Sequence, residues 1–167
     1  MAQMQRQSLR PHVTAYVALG ANLGDARQTV LHAFDALVQL PSIELTARSH
    51  LYRTAPHEAQ GPDFVNAVAR IDTGLTAPDL LDALQAIENQ AGRLRPYVNA
   101  PRTLDLDLLF YGEAQIHSPR LTLPHPRWRE RAFVLYPLAD VWPERVSPED
   151  LIGVAGQGIE RLPEGAL

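Results

Sequence analysis

Residues 101–109 read PRTLDLDLL, a stretch in which leucines alternate with two aspartates. Successive side chains of a β-strand point to opposite faces, so the pattern predicts a strand with buried leucines and with Asp105 and Asp107 together on the other face. The rise of a strand separates two such Cβ atoms by roughly 7 Å, which lets both carboxylates reach a divalent cation. A solvated strand face explains the same acids, but Arg102 beside them and the apolar opposite face favour a metal site for a phosphate-rich ligand.

The chain around this strand alternates strand and helix patterns. Asp25 followed by Gln28 is a capping-box pattern that predicts a helix start, and Thr76 predicts a second one. The predicted order is β-α-β-β-α-β, the split βαβ arrangement of an α+β, ferredoxin-like fold. We expect an antiparallel sheet with helices packed on one face, which leaves the other face and the loops for ligands. The predicted elements are a strand over 12–19, a helix over 25–41, strands over 43–51 and 65–71, a helix over 76–92, the strand with the two aspartates, a short strand over 114–117, and a short helix with a frayed end over 148–167.

A glycine-rich segment, GANLG at residues 20–24, joins the first predicted strand to the first helix. Such a turn at a helix N-terminus can cradle a nucleotide phosphate. The spacing of its glycines matches neither the dinucleotide-binding fingerprint nor the Walker A loop. We therefore interpret the segment as a structural turn.

The composition limits the classes of function. A chain of 167 residues with 46% apolar content can bury one core, so we expect a single domain over residues 13–167 after a flexible tail over 1–12. The chain has no cysteine, which excludes disulfides and thiolate chemistry and fits the cytoplasm. The net charge of -4 and the lack of a long apolar run predict neither nucleic acid nor a membrane as a partner. We expect a monomer.

All 15 positively charged residues are arginines. The lack of lysine excludes a Walker A lysine, a protein-kinase strand lysine and Schiff-base chemistry. Arginines in surface groups often only solvate a face, but two groups that flank an acid pair in an acidic chain favour a polyanionic ligand. The first group consists of Arg93, Arg95 and Arg102, and the second of Arg120, Arg127, Arg129 and Arg131, with His125 among them.

Several ordered segments resemble the 6-hydroxymethyl-7,8-dihydropterin pyrophosphokinases of folate biosynthesis, from about residue 15 to about residue 143. The arginine followed by the acid pair is the most specific of these segments. The resemblance implies that the pyrophosphoryl group of ATP is transferred to the hydroxymethyl oxygen of the pterin, with release of AMP. The matching segments are VALGANLG at 17–24, YRT at 52–54, FVNA at 64–67, Gln85 with Glu88, GRLR at 92–95, PRTLDLD at 101–107, LPH at 123–125 and RAF at 131–133.

The resemblance also implies residues for the metal and for ATP. Asp105 and Asp107 would hold two magnesium ions, which need few protein carboxylates because they keep water ligands. Arg93 and Arg102 would hold the triphosphate and offset charge as the bridging oxygen leaves. The further ATP-binding positions that it implies are Gln85, Glu88, Arg95, Arg120, Thr122, His125 and Arg131; for Gln85 and Glu88, a plain surface pair on one helix face is an equal alternative.

A second set of positions is implied for the pterin. Phe64 and Phe133 would sandwich the flat ring, although both would more often be core residues on pattern alone. Asn66 would pair with the donor and acceptor edge of the ring, and Thr54 would add a backbone contact.

Two other classes of protein stay open at this point. A metal-dependent nuclease or phosphatase would use the same acid pair, although the sequence has no further cluster of acids and histidines at ligand spacing. A ferredoxin-like ligand-binding module without catalysis would explain the fold alone.

Overall fold

The computed structural model describes residues 11–56, 61–92 and 104–163. The predicted alternation of strands and helices is present over this range. The elements are β1 (Val13–Ala21), α1 (Ala26–Gln39), β2 (Ile43–Arg48), β3 (Tyr52–Thr54), β4 (Phe64–Thr73), α2 (Ala77–Gly92), β5 (Asp105–Tyr111), β6 (Ile116–His117), β7 (Thr122–Leu123), α3 (Ala132–Val141), α4 (Pro148–Gly153) and β8 (Ile159–Arg161), with 3-10 turns at Trp128–Glu130 and Pro143–Arg145.

The main sheet is antiparallel, with the strand order β5-β1-β4-β3-β8 and with β2 also paired to β4. The order β5-β1-β4-β2 is the split βαβ arrangement, so the predicted α+β, ferredoxin-like core is confirmed. The strand predicted over 43–51 corresponds to β2, which ends earlier, at Arg48, and β3 (Tyr52–Thr54) follows it as a separate strand that was not predicted. They separate at Ser49, whose hydroxyl accepts a hydrogen bond from the backbone N–H of Val68 at 2.9 Å.

Both predicted helix starts are confirmed by side-chain caps. The carboxylate of Asp25 accepts a hydrogen bond from the backbone N–H of Gln28 at 3.1 Å, and the hydroxyl of Thr76 accepts one from the N–H of Asp79 at 3.2 Å. Each cap satisfies a backbone donor that the first helical turn leaves without a partner. No helix within the three described ranges has the length and apolar character needed to cross a lipid bilayer.

Helices α1 and α2 cover one face of the sheet and form the main hydrophobic core with it. The central strand β1 contributes Ala15, Val17 and Leu19 to this face, and α1 and α2 contribute Phe34 and Leu84. The leucines of the 101–109 stretch belong to the same core: Leu104, Leu106 and Leu108 are each at most 4% exposed. The predicted burial of that strand's leucine face is therefore confirmed.

The expectation that the second face is left for ligands is only partly right, because helix α3 covers part of it. Leu135 and Leu138 of α3 pack there in a second core with Tyr16, Val68 and Phe110 of the sheet. The apolar residues of α3 recur at helical spacing in the sequence. Pro137 inside the helix and the polar segment before it obscure this pattern. The frayed end expected over 148–167 is also only partly right, since β8 follows α4 and extends the sheet.

Candidate functional site

One row of residues across the sheet forms the floor of the site. Gly20 of β1 lies opposite Asp105 of β5 on one side and opposite Asn66 of β4 on the other. Directly opposed residues of antiparallel strands project from the same face, so the two polar side chains flank a position without a side chain. A Cβ atom at Gly20 would lie 3.0 Å from the amide oxygen of Asn66. Gly20 therefore belongs to strand β1 and to the floor of the site, whereas Gly24, with φ of +59°, makes the turn that the sequence predicts.

A cavity of about 810 Å³ opens above this row, on the face of the sheet that carries α3. Its volume is in the range of small-molecule sites. Seven of the residues predicted for the site line it, namely Thr54, Phe64, Asn66, Asp105, Asp107, Arg131 and Phe133. Thr54 and Phe133, which are 79 residues apart in the chain, thus line the same cavity.

The acid pair forms one side of the cavity. Asp105 and Asp107 are exposed, and the intervening Leu106 is buried, as the alternation predicts. Within the described ranges, no group of three or more His, Asp or Glu side chains could hold a metal ion. Two carboxylates suit magnesium, which completes an octahedron with water and with phosphate oxygens from a substrate. The donor set thus fits an ion that binds together with a phosphate ligand.

Asn66 and Thr54 form a polar corner of the cavity. Asn66 is 5% exposed and Thr54 is 8% exposed. The side-chain amide of Asn66 donates a hydrogen bond to the Thr54 hydroxyl at 3.0 Å. A buried amide that is held in this way presents a fixed donor and acceptor edge to a ligand, because its rotation would break the bond.

Phe133 and Arg131 form the wall on the side of α3. The Arg131 guanidinium lies over the Phe133 ring, with its central carbon 5.3 Å from the ring centroid. Phe64 lines the same cavity from the start of β4 and, like Phe133, is partly buried. The cavity therefore has flat apolar surfaces from two separate elements, as a stacked heterocyclic ring requires.

His125 lies close to the acid pair but outside the cavity lining. Burial lowers the pKa of His125 below its usual 6.5, and the neighbouring Arg131 and Arg127 lower it further, while the carboxylate of Asp107 opposes them. The backbone N–H of Arg127 donates a hydrogen bond to Nδ1 of His125 at 3.2 Å. A ring nitrogen that accepts a hydrogen bond carries no proton, so the neutral ring has its proton on Nε2.

Besides His125, four other predicted ATP-binding residues lie outside the cavity lining. The Arg120 guanidinium donates hydrogen bonds to Gln85, at 3.1 Å, and to the carboxylate of Asp82. Glu88 of α2 accepts a hydrogen bond at 2.7 Å from the backbone N–H of Leu106, between the two aspartates. Thr122 lies in β7 and pairs with His117. ATP binding by these residues stays a prediction, and Glu88 has a clear additional role in holding β5.

The predicted arginines Arg93, Arg95 and Arg102 lie outside the described residues. Their proposed contacts to the triphosphate stay predictions from the sequence.

Several lining residues have no counterpart in the sequence-based prediction. Ala18 and Gly20 are small residues on one face of β1, a pattern that can mark the floor of a pocket. Glu130 was not predicted, whereas Arg127, also in the lining, was predicted only as one of the group of arginines for a polyanionic ligand. The turn at 156–158 comes from the segment that was expected to fray. Nothing local to residues 156–158 indicates this position, because it depends on β8 pairing with β3.

An antiparallel α+β sheet that carries an acid pair and a cavity with aromatic and amide walls indicates a class of protein, the metal-dependent enzymes that transfer phosphate groups. The comparisons with known proteins specify the family. The family described as 7,8-dihydro-6-hydroxymethylpterin-pyrophosphokinase matches residues 16–143. The chain belongs to this family.

Two relatives illustrate the similarity. The chain is 50% identical over 155 residues to the 2-amino-4-hydroxy-6-hydroxymethyldihydropteridine pyrophosphokinase of Pseudomonas aeruginosa, over 89% of this chain and 96% of that protein. It is 43% identical over 141 residues to the protein of the same name from Haemophilus influenzae, over 84% of this chain and 88% of that one.

Solved structures support the fold. A crystal structure of an HPPK-DHPS in complex with substrates has a TM-score of 0.64 at 14% identity and matches 80% of this chain. A Plasmodium falciparum HPPK-DHPS with pterin and p-hydroxybenzoate has a TM-score of 0.62 at 15% identity and matches 81%. The chain spans 40% of the length of each of these two chains.

Proposed function

We propose that this chain transfers the pyrophosphoryl group of ATP to the hydroxymethyl oxygen of 6-hydroxymethyl-7,8-dihydropterin in folate synthesis. The observation that carries the proposal is the single cavity that joins an exposed acid pair to a polar and aromatic pocket. Membership of the pyrophosphokinase family supports the same reaction. In this reaction the pterin oxygen forms a bond to the β-phosphorus of ATP. The bond from that phosphorus to the oxygen bridging to the α-phosphorus breaks, AMP leaves, and the hydroxyl proton passes to solvent.

The phosphate half of the site lies, in this proposal, at Asp105 and Asp107. Both are exposed at the cavity and lie on one strand face, so they can hold magnesium together with phosphate oxygens and water. When bound, magnesium neutralises phosphate charge and orients the transferring group. We propose two ions at this pair. Arg131 faces the same cavity and can pair with a phosphate through its fixed, forked donors.

The pterin half lies, in this proposal, between Phe64 and Phe133, with Asn66 at the polar edge of the ring. The hydrogen bond from Asn66 to Thr54 orders the amide before the ligand arrives, which lowers the entropy cost of binding. A ring held in this pocket has its hydroxymethyl group directed along the floor row towards Asp105, because Asn66 and Asp105 flank Gly20. The row thus orients the attacking oxygen towards the phosphates.

The compartment, the absence of a nucleic-acid partner and the oligomeric state of the protein are also proposals. The chain has a net charge of -4 and no cysteine, which supports an enzyme that acts in the cytoplasm without nucleic acid. We propose a monomer, and light scattering of the purified chain would test this.

The deciding experiment is incubation with ATP, magnesium and 6-hydroxymethyl-7,8-dihydropterin. We expect AMP and the pterin diphosphate in equal amounts, and neither product without the pterin. Release of orthophosphate instead would indicate a phosphatase, and a lack of any product would indicate a binding module. Either outcome would refute the proposal.

A further inference from the structure

The turn Gly156–Gln157–Gly158 forms one side of the cavity, although it lies beyond the range of the family match, which ends at residue 143. It links α4 to β8. A turn that connects two short elements is usually exposed to solvent. Here the middle residue makes two hydrogen bonds at the wall of the proposed pterin pocket.

Gln157 bonds to the chain on both sides of Arg131. Its side-chain oxygen accepts a hydrogen bond from the backbone N–H of Ala132 at 2.9 Å. Its side-chain nitrogen donates one to the backbone carbonyl of Glu130 at 2.8 Å. Arg131 is the N-cap of α3 and makes no capping bond with its own side chain. Gln157 therefore satisfies a donor of the first helical turn, and it fixes the two peptide groups around Arg131.

These peptide groups set the direction in which two cavity side chains project. Arg131 and Phe133 both line the cavity, and the guanidinium packs over the ring. A side chain at the start of a helix is oriented by the backbone of that first turn. The two hydrogen bonds of Gln157 thus hold the backbone directly before Phe133, from which its ring projects.

The other end of the turn is attached to the opposite wall. Ile159 of β8 pairs with Thr54 of β3, and Glu160 forms an ion pair with Arg53 at 3.2 Å. Thr54 in turn accepts the hydrogen bond of Asn66. Only Gly158 lies between Gln157 and Ile159, so the Cα atoms of these two residues are at most about 7 Å apart. The turn therefore connects the aromatic wall to the polar corner over a short, fixed length.

We propose that Gln157 is a positioning residue for the pterin: it sets the width of the pocket between Phe133 and the Thr54–Asn66 corner. The proposal rests on the proposed function of the cavity. It places a determinant of pterin affinity in a segment that lies beyond the range of the family match. Loss of the two bonds lets Phe133 move away from the ring, so pterin binding weakens. ATP binding changes less, because Arg131 reaches a phosphate through a long side chain that can adjust to a small backbone shift.

The test compares Gln157→Met, which keeps the length but removes both hydrogen bonds, with Gln157→Glu, which keeps the acceptor for Ala132. Gln28→Ala is the matched control, because Gln28 is an exposed glutamine of α1 that bonds to His32. Binding is measured by calorimetry for the pterin, in the presence of magnesium and a non-hydrolysable ATP analogue, and separately for the analogue alone. Melting temperature is recorded for each variant.

We expect Gln157→Met to raise the dissociation constant of the pterin about tenfold, the effect of roughly one lost hydrogen bond. The affinity for the ATP analogue should stay within twofold of wild type, Gln157→Glu should lie between wild type and Gln157→Met, and Gln28→Ala should match wild type.

Unchanged pterin affinity in Gln157→Met would overturn the inference. A parallel loss of ATP and pterin affinity with a lower melting temperature would also overturn it, because this pattern indicates a general structural role. If the wild-type chain binds no pterin, the proposed function itself fails, and this result is distinct from the first two.

Discussion

At the scale of single residues, the chemistry of the site depends on the exposure of its two aspartates and on the burial of His125. Asp105 and Asp107 are exposed and line the cavity while the leucine between them is buried, so the leucines hold the strand in the core and the acids lie on the side of the cavity. His125 is held neutral by burial, next to Asp107 and two arginines. We therefore expect the two kinds of residue to respond differently to substitution: the acids in turnover, and the histidine in stability at low pH.

Replacement of either acid by asparagine should remove turnover and leave the fold intact. Metal stabilisation of a transferring phosphate is worth several kcal/mol, and each ~1.4 kcal/mol is a factor of about ten in rate. AMP release at saturating magnesium should therefore fall well over tenfold in Asp105→Asn and in Asp107→Asn. Asp35→Asn, at an exposed acid of α1, is the control. A variant of either acid with more than about a tenth of wild-type activity would remove that acid from the mechanism.

His125 should make the protein less stable as the pH falls below 6.5. Its pKa is lowered in the folded state, so below 6.5 the unfolded chain takes up a proton that the folded chain does not. Stability therefore falls with pH until the lowered pKa is reached. His125→Asn lacks this contribution, so urea unfolding of the two proteins from about pH 8 to about pH 5 should give curves that converge or cross at low pH. Parallel curves would contradict the assignment.

At the scale of elements, contacts between neighbouring helices and strands hold the acid pair in place. Strand β5 lies at one end of the sheet order and pairs with β1 on its inner side. Such an edge strand leaves a row of backbone donors and acceptors without strand partners. Glu88 of α2 accepts a hydrogen bond from one of these donors, the N–H of Leu106. The helix thus fixes the strand at the residue between the two aspartates.

Glu88→Ala should loosen this edge. Loss of a hydrogen bond to a charged acceptor costs about 1.5–3 kcal/mol when the group is shielded from water, and less at a partly exposed site. We expect the free energy of unfolding in urea to fall by about 1 kcal/mol, and the Leu106 amide to exchange its hydrogen faster than in wild type. Glu113→Ala, at an exposed turn, serves as the control. Unchanged exchange at Leu106 would show that the bond does not hold the strand.

At the scale of the whole molecule, the two faces of the sheet differ in what they carry. The face under α1 and α2 carries the main core, and the other face divides into the smaller core under α3 and the open cavity. The cavity lies above the floor row of β5, β1 and β4. Both cores are apolar and the acid pair lies outside them, so we expect the fold to form without a metal ion.

Removal of magnesium should therefore affect ligand binding and not the fold. ATP with magnesium at about 100 times the dissociation constant should add about 2.7 kcal/mol, or roughly 5–10 °C in melting temperature for a chain of this size. EDTA should abolish this shift and leave the melting temperature of the ligand-free protein unchanged. The double variant Asp105→Asn with Asp107→Asn should show no magnesium-dependent shift. A fall in the melting temperature of the ligand-free protein on EDTA addition would mean that a metal stabilises the fold.

Local patterns in the sequence by themselves determined much of this protein. The alternation at 104–108 sets which face of β5 is buried, and Asp25 and Thr76 set where two helices begin, because these effects act over a few neighbouring residues. Tertiary structure alone decided that Gly20 forms the floor, that α3 covers part of the second face and that Gln157 bonds to the backbone beside Arg131. Each of these contacts joins residues from different elements. Their proximity depends on strand order and register, which arise from burial of the whole chain and not from any single segment.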